Sequence, residues 1–196
     1  MSVASRKPSA RDRLLAAADE LFYAEGVHTV GIDRIIERAG VAKASLYSSF
    51  GSKEELVRAY LENRHRLRRE RLLAGLERYE NPRARLLGVF DVLGELAATP
   101  GFRGCAFYNA SAESVARGGA VEQVSNANRA WTRGLFTELA DDCGVADPAA
   151  LADQLMILYD GASVGARMDG RPGAAVLARR VAESLVDAAG QGPTAA

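Results

Sequence analysis

Along the first eighty residues the apolar positions recur at intervals of three and four, which is the period of a helix and not of a strand. Leu14, Ala18, Leu21 and Phe22 make one apolar face, and Ile32, Ile35, Ile36 and Ala39 make a second. Leu46 and Phe50 supply the inward side of a third, shorter helix. Punctuation falls between these runs. Ser9 followed by Asp12 reads as an N-cap with a carboxylate on the third helical position, which predicts a helix from there to about Glu25 and a stop at Gly26. Thr29 reads as the N-cap of the next helix, and Gly40 as its C′ glycine, with Val41 packing inward. Ser52, with Glu54 and Glu55 in the following turn, reads as a capping box that opens a long helix through Leu56, Tyr60, Leu67, Leu72 and Leu76 to about Tyr79. Asn81-Pro82 breaks it. Beyond that the spacing predicts helices at about 82–98, 102–116, 119–142, 148–169 and 173–189, separated by glycine- and proline-containing turns. Nothing alternates with a period of two, so the fold class expected is all-α.

The third helix carries the most informative chemistry. With Leu46 and Phe50 turned inward, Lys43, Ala44, Ser45, Tyr47, Ser48 and Ser49 are expected to point outward. Two short helices joined by a tight turn, the second presenting small, polar and basic side chains, suit a DNA major groove. Lys43 can donate to guanine and Ala44 can touch a thymine methyl. Ser45 belongs to the same reading front, and Ser48 and Ser49 follow one turn later, where short phosphate bonds are as good a reading as base contacts. Arg34 is a further DNA candidate or else a solvated charge.

Ala39-Gly-Val-x-x-x-x-Leu-Tyr-x-x-Phe-x-Ser-Lys-Glu-Glu-Leu56, preceded by Leu14-Leu-Ala-Ala-Ala-Asp-Glu-Leu-Phe22, Gly26 and Thr29, resembles the N-terminal signature of the TetR family of transcriptional regulators. The resemblance implies a small all-helical dimer with an N-terminal three-helix DNA-binding domain and a helical ligand-binding and dimerisation domain behind it. It also implies that Tyr47 and Lys53 grip the phosphate backbone at the two flanks of the recognition helix, and Thr29 is compatible with a cap, a phosphate contact or both. The division expected is a basic arm at 1–8, a DNA-binding domain at 9–55, an effector and dimerisation domain at 56–189 and a disordered tail at 190–196.

Composition sharpens this at one point. The 196 residues carry no net charge, yet residues 1–79 hold 15 Lys and Arg against 11 Asp and Glu, while residues 80–196 hold 10 against 14. A basic front and an acidic rear suit a protein that meets phosphate with one end. On the long fourth helix Arg64, Arg66, Arg68, Arg69 and Arg71 interleave with Glu62, Glu70 and Glu77, which reads as a solvated face with i,i+4 pairs. Two cysteines, Cys105 and Cys143, are too few and too distant for a zinc site, so neither metal nor cofactor is expected. No apolar run reads as a signal peptide or bilayer span, and the cytoplasm is the expected location.

After residue 82 the signal is compositional. Gly104 to Glu113 resembles a segment that lines the effector cavity in TetR-type proteins. Phe90, Phe102, Tyr108, Trp131 and Tyr159 offer apolar bulk, with Asn109 and Cys105 as polar or reactive groups, and together they are the candidate lining for a small, largely apolar effector. Cys105 is either a redox sensor or a buried small hydrophobe. The stretch with Gly161, Ala162, Ser163 and Gly165, with the last helix, reads as a homodimer interface or as the monomer's own core. The function expected is a ligand-released repressor on a pseudo-palindromic operator. The alternatives are a helical small-molecule carrier, or an enzyme using Cys105 with His65 or His28. For the enzyme no third orienting group stands at a recognisable spacing, so a non-enzyme is preferred.

Overall fold

Helix boundaries in this chain follow local hydrogen bonding. The computed structural model describes residues 8–114, 118–170 and 173–190, so the expected arm (but for Pro8) and tail (but for Gly190) lie outside the described residues. Helix α1 (Ala10–Glu25) opens on a complete capping box: Ser9 Oγ accepts from the Asp12 amide at 3.1 Å, and the Asp12 carboxylate accepts from the Ser9 amide at 3.0 Å. Helix α2 (Ile32–Ala39) starts later than expected. Its N-cap is Gly31, with no side-chain cap, and Thr29 sits exposed in the preceding turn. The chain buries Val27 and Val30 on either side of that turn before the helix begins, which removes Thr29 from the capping position.

Helix α3 (Lys43–Phe50) follows a tight turn at Gly40, whose φ of 61° and ψ of 47° are left-handed. There the Gly40 amide donates to Glu37 and Ile36 carbonyls, closing α2. Helix α4 (Lys53–Leu76) is capped by Ser52, whose Oγ accepts from the Glu55 amide at 3.1 Å, while the Glu55 carboxylate pairs with Arg58. The helix stops at Leu76, three residues before the expected end, and Tyr79 turns away to donate to Asp91 at 2.8 Å. Then come α5 (Pro82–Ala97, capped by Asn81), α6 (Ala106–Glu113), α7 (Ala120–Asp142), α8 (Pro148–Asp169, capped by Asp147) and α9 (Gly173–Gly190). The expected 102–116 helix is shortened because residues 99–102 close a turn, the Phe102 amide donating to Thr99 at 3.2 Å. Among the described residues all regular structure is helical.

The chain groups into two compact units. The first comprises the described residues up to Arg64 together with the segment 106–125. Its interior holds Leu14, Ala18, Leu21, Val30, Ile35, Leu46 and Leu56, with Phe22 and Tyr60 ring centroids 5.5 Å apart. Arg64 fastens α4 to α1 there: its guanidinium meets the Asp19 carboxylate at 2.7 Å and lies over the Tyr23 ring at 3.9 Å. The second unit comprises 65–105 with 126–190. Phe90, Phe136 and Tyr159 meet at its centre, with ring centroids 5.9 to 6.1 Å apart. Helix α9 packs on both α5 and α8, and Gly165 permits the α8 contact, since a Cβ there would lie 3.0 Å from that of Ala174. Of the small residues on α8, Ala162 and Ser163 are buried too, so part of that stripe serves the unit's own packing.

Gly88 on α5 has a comparable role at closer range, because a Cβ on it would lie 2.3 Å from the Tyr79 ring. Tyr79 cannot withdraw without breaking its bond to Asp91. Gly88→Ala is therefore expected to destabilise the protein by about 1–3 kcal/mol through overpacking, in spite of alanine's better helix propensity. Urea unfolding would check the sign: a stabilised variant would mean that Tyr79 yields freely.

Candidate nucleic-acid interface

Helices α1, α2 and α3 form one small assembly, with α1 in contact with both of the others. One side chain on α1 fixes the turn between α2 and α3. Arg13 Nη1 donates to the carbonyls of Ala39 at 3.2 Å and Gly40 at 3.0 Å, groups left over at the end of α2. Arg11 lies over the Phe50 ring at 4.8 Å and holds the far end of α3. The spacing of apolar residues gave no sign of either arginine, because both stand on the polar side of α1.

On α3 Leu46 is fully buried, and this sets the orientation of the other residues. Lys43, Ala44, Tyr47 and Ser48 are exposed, Tyr47 retaining 47% of its surface. Ser45 and Ser49, expected outside, are half-buried instead. They stand one residue before and three after Leu46, so the rotation that buries Leu46 carries them toward the interior. Ser48 Oγ donates to the Ser45 carbonyl at 3.2 Å. The outward set is thus a narrow strip of two adjacent pairs one helical turn apart.

Electrostatics modifies the strip. Lys43 Nζ meets Asp33 Oδ1 at 2.9 Å, and the hydrogen bond and charge of Asp33 raise the ammonium's pKa. Arg34 pairs with Glu25, and Arg38 with Glu20 at 2.7 Å, so both basic residues of α2 are engaged with α1. All these groups are largely exposed, and such pairs are worth less than about 1 kcal/mol, so a polyanion can displace them. Lys53, at the first position of α4, is half-buried above the Phe22 ring; burial lowers its pKa while the nearby Glu113 raises it.

Two further features of the first unit lie beyond motif spacing. Helices α2 and α3 have no side-chain cap, whereas α1, α4, α5 and α8 have one. Their first amides are left for solvent or an anion, and the positive end of each helix favours the anion. Glu113, at the end of α6, accepts from the His28 amide at 2.8 Å and packs over Gly26, where a Cβ would lie 2.5 Å from its carboxylate. It thereby fastens α6 to the turn that precedes α2.

The candidate effector residues divide between the two units. Tyr108 and Asn109 are on α6 in the first, and Tyr108 is 59% exposed. Phe90, Phe102, Cys105, Trp131 and Tyr159 belong to the second, where Phe90 and Tyr159 are core and the others half-buried. The arginine-rich stretch of α4 also differs from the solvated face expected. Arg66 does pair with Glu70 at 2.8 Å, but Arg68 turns inward. The residue is half-buried, and its guanidinium is drawn onto α7. Nη1 of Arg68 donates to Asn128 Oδ1 at 2.6 Å and Thr132 Oγ1 at 3.0 Å, and the group lies 5.2 Å from the Tyr159 ring centroid. A helix-face pattern read Arg68 as solvated because only α7 and α8 supply the groups that draw it in.

Comparison with known proteins agrees with this geometry. The sequence profile described as "Bacterial regulatory proteins, tetR family" matches residues 14–60. The crystal structure of SCO4454, a TetR-family transcriptional regulator from Streptomyces coelicolor, is 34% identical and superposes with a TM-score of 0.87 over 92% of this chain and 96% of that one. A TetR-type regulator from Streptomyces avermitilis is 32% identical with a TM-score of 0.81, over 93% and 98% of the two chains. The HTH-type transcriptional activator FasR of Mycolicibacterium smegmatis is 50% identical over 52 residues, 26% of this chain and 24% of that protein. The match thus spans about a quarter of that curated relative, and the stretch it covers is short.

Arg13→Ala removes the hydrogen bonds to the part-buried Ala39 carbonyl and the exposed Gly40 carbonyl and is expected to cost about 1 kcal/mol. Hydrogen exchange localises the effect: amides of Gly40 and Val41 should exchange faster, while those of α5 keep their rates. Uniform acceleration across both units would show that Arg13 does not act on the turn.

Proposed function

This chain belongs to the TetR family of bacterial regulatory proteins, and from that membership we propose that it is a dimeric repressor, working in the cytoplasm, whose operator affinity falls when a small, largely apolar molecule binds the second unit. The observation that carries the DNA side is the exposed strip Lys43, Ala44, Tyr47 and Ser48 on an uncapped helix, held in orientation by Leu46 and Arg13. Lys43 and Ala44 are the base-reading pair, Tyr47 and Lys53 hold phosphates, and Ser48 is short enough to serve a phosphate. The bare amides at the start of α2 and α3 suit phosphates as well, with Thr29 exposed beside the first. Ser45 and Ser49 contribute from the edge of the strip, and Arg34 contributes once Glu25 releases it.

Dimerisation is supported by an unpartnered apolar stripe in the second unit. On α8, Ile157, Gly161, Val164 and Met168 stand at i, i+4, i+7 and i+11, and Ile157 and Met168 are 74% and 79% exposed. On α9, Val176, Leu177 and Val181 are exposed as well. Large apolar groups left in water along two adjacent helices are the mark of an association surface.

Helix α4 contributes residues to both units, Lys53 to the first and Arg68 to the second. A ligand that displaces its second half alters the setting of Lys53. A coupling of about 1–3 kcal/mol is enough for a useful switch. The carrier and the Cys105 enzyme readings gain no support from the relatives matched, which are transcriptional regulators.

Fluorescence anisotropy with DNA from upstream of the protein's own gene tests the reading. Tyr47→Phe and Lys53→Ala should weaken binding to all sequences about equally, and Lys53→Ala should reduce the salt slope by about one. Lys43→Ala should instead cost about 1–3 kcal/mol on the preferred site and relax selection at one base position. An unchanged sequence preference would remove Lys43 from base reading. For the dimer, Leu177→Glu with Val181→Glu should give a monomer by light scattering and lower operator affinity at least about tenfold, because two half-sites about 34–36 Å apart would no longer be read together. A double variant that stays dimeric places the interface elsewhere.

A further inference from the structure

Residues 106–125 lie far along the chain from α1, α2 and α3, yet they group with those helices in the first unit. Ala106, Phe107, Ala110, Ala120 and Val124 are its buried side. Ser111 Oγ on α6 donates to Ser125 Oγ on α7 at 3.2 Å, which ties α6 to the start of α7. The segment is also bonded to the head of α4. Arg58 Nη1 donates to Gln123 Oε1 at 3.0 Å, and Glu54 Oε1 accepts from the Ala120 amide at 3.4 Å.

Glu113, at the end of α6, reaches the turn that leads from α1 to α2. Its Oε2 accepts from the His28 amide at 2.8 Å, a charge-assisted bond to backbone. Gly26 supplies the room. A Cβ built there would lie 2.5 Å from Glu113 Oε1, and the φ of 99° is one that other residues rarely adopt. The carboxylate therefore occupies the place that a side chain on residue 26 would take. Its charge is felt at Lys53 as well, where burial lowers the ammonium's pKa and Glu113 opposes that. One side chain of α6 thus acts on the turn before α2 and on the lysine after α3, the two positions that bracket the α2–α3 pair along the chain.

We infer that Glu113 is a positioning residue for DNA binding: from α6 its carboxylate fixes the entry to α2, and with it the setting of the α2–α3 pair that reads the duplex. This rests on the reading of α2 and α3 as the DNA-contacting helices. Glu113 makes no phosphate contact in this role, since two anions repel. Attraction to any duplex comes from cations such as Lys43 and Lys53, which a change at Glu113 leaves in place. Its loss should therefore reduce discrimination between sequences and spare the general attraction.

Two variants of the full-length protein separate these effects. Glu113→Gln keeps an oxygen for the His28 amide and removes the charge, whereas Glu113→Ala removes both. Fluorescence anisotropy compares DNA from upstream of the protein's own gene with a random duplex of equal length. Glu113→Ala should bind the upstream DNA about fivefold or more weakly, on the scale of one charge-assisted hydrogen bond. Its affinity for the random duplex should stay within about twofold of the wild type, with an unchanged salt slope, because no phosphate contact is lost. Glu113→Gln should recover most of the loss. Hydrogen exchange followed by NMR should show the His28 amide exchanging faster in Glu113→Ala than in Glu113→Gln, with the amides of α5 unaffected. Coupling is reciprocal, so upstream DNA should slow exchange of the His28 amide in the wild type and in Glu113→Gln more than in Glu113→Ala.

Equal affinity of Glu113→Ala and wild type for the upstream DNA overturns the inference. An equal loss on both duplexes, or faster exchange throughout both units, overturns it too, because Glu113 would then support the fold in general. A wild type with no preference for the upstream DNA removes the reading of α2 and α3 as well, and that result is obtained before any variant is compared.

Discussion

The first unit depends on the burial of Leu46. An eight-residue helix has too few internal hydrogen bonds to offset its nucleation cost in water, so α3 exists because its one fully buried side chain joins the interior of α1 and α2. That single anchor also sets the rotation of the helix, and the rotation decides which residues a partner can touch. Arg13 then prevents the turn before α3 from opening, using carbonyls that the end of α2 cannot satisfy internally. Orientation of the reading strip is thus a consequence of core packing and one cap.

Charge on this surface is largely paired within the molecule. Lys43, Arg34, Arg38 and Arg64 each meet a carboxylate of the first unit. The first three are exposed pairs that a phosphate array can displace at little cost, whereas Arg64 is half-buried and stacked on Tyr23. The basic surplus of the front half therefore divides by burial into cations available to a partner and cations that hold helices together. The same distinction separates Arg66, paired on the surface, from Arg68, half-buried against Asn128 and Thr132 two residues later.

In the second unit small residues and large ones have opposite assignments. Gly165, Ala162 and Ser163 face inward and let α8 and α9 approach, while Ile157, Met168, Leu177 and Val181 remain in solvent. A monomer that left this stripe uncovered would gain nothing from it, which is why association of two copies is the economical account.

Local hydrogen bonding and periodicity made most of the fold legible in the sequence. Ser9 with Asp12, Ser52, Asn81 and Asp147 act within a few residues of themselves, and the helices they open start within one or two residues of their expected positions. The family was legible for the same reason, since its motif is a contiguous run. What contiguity does not encode was decided by tertiary structure. Thr29 lost its capping place because Val27 and Val30 had to be buried first, and α4 ended early because Tyr79 found Asp91. Ser45 and Ser49 turned inward with Leu46. Arg13, Glu113 and Arg68 acquired their roles from partners 26, 85 and 60 positions away. A period of 3.6 specifies which residues share a face, but only packing against the rest of the chain specifies what that face meets.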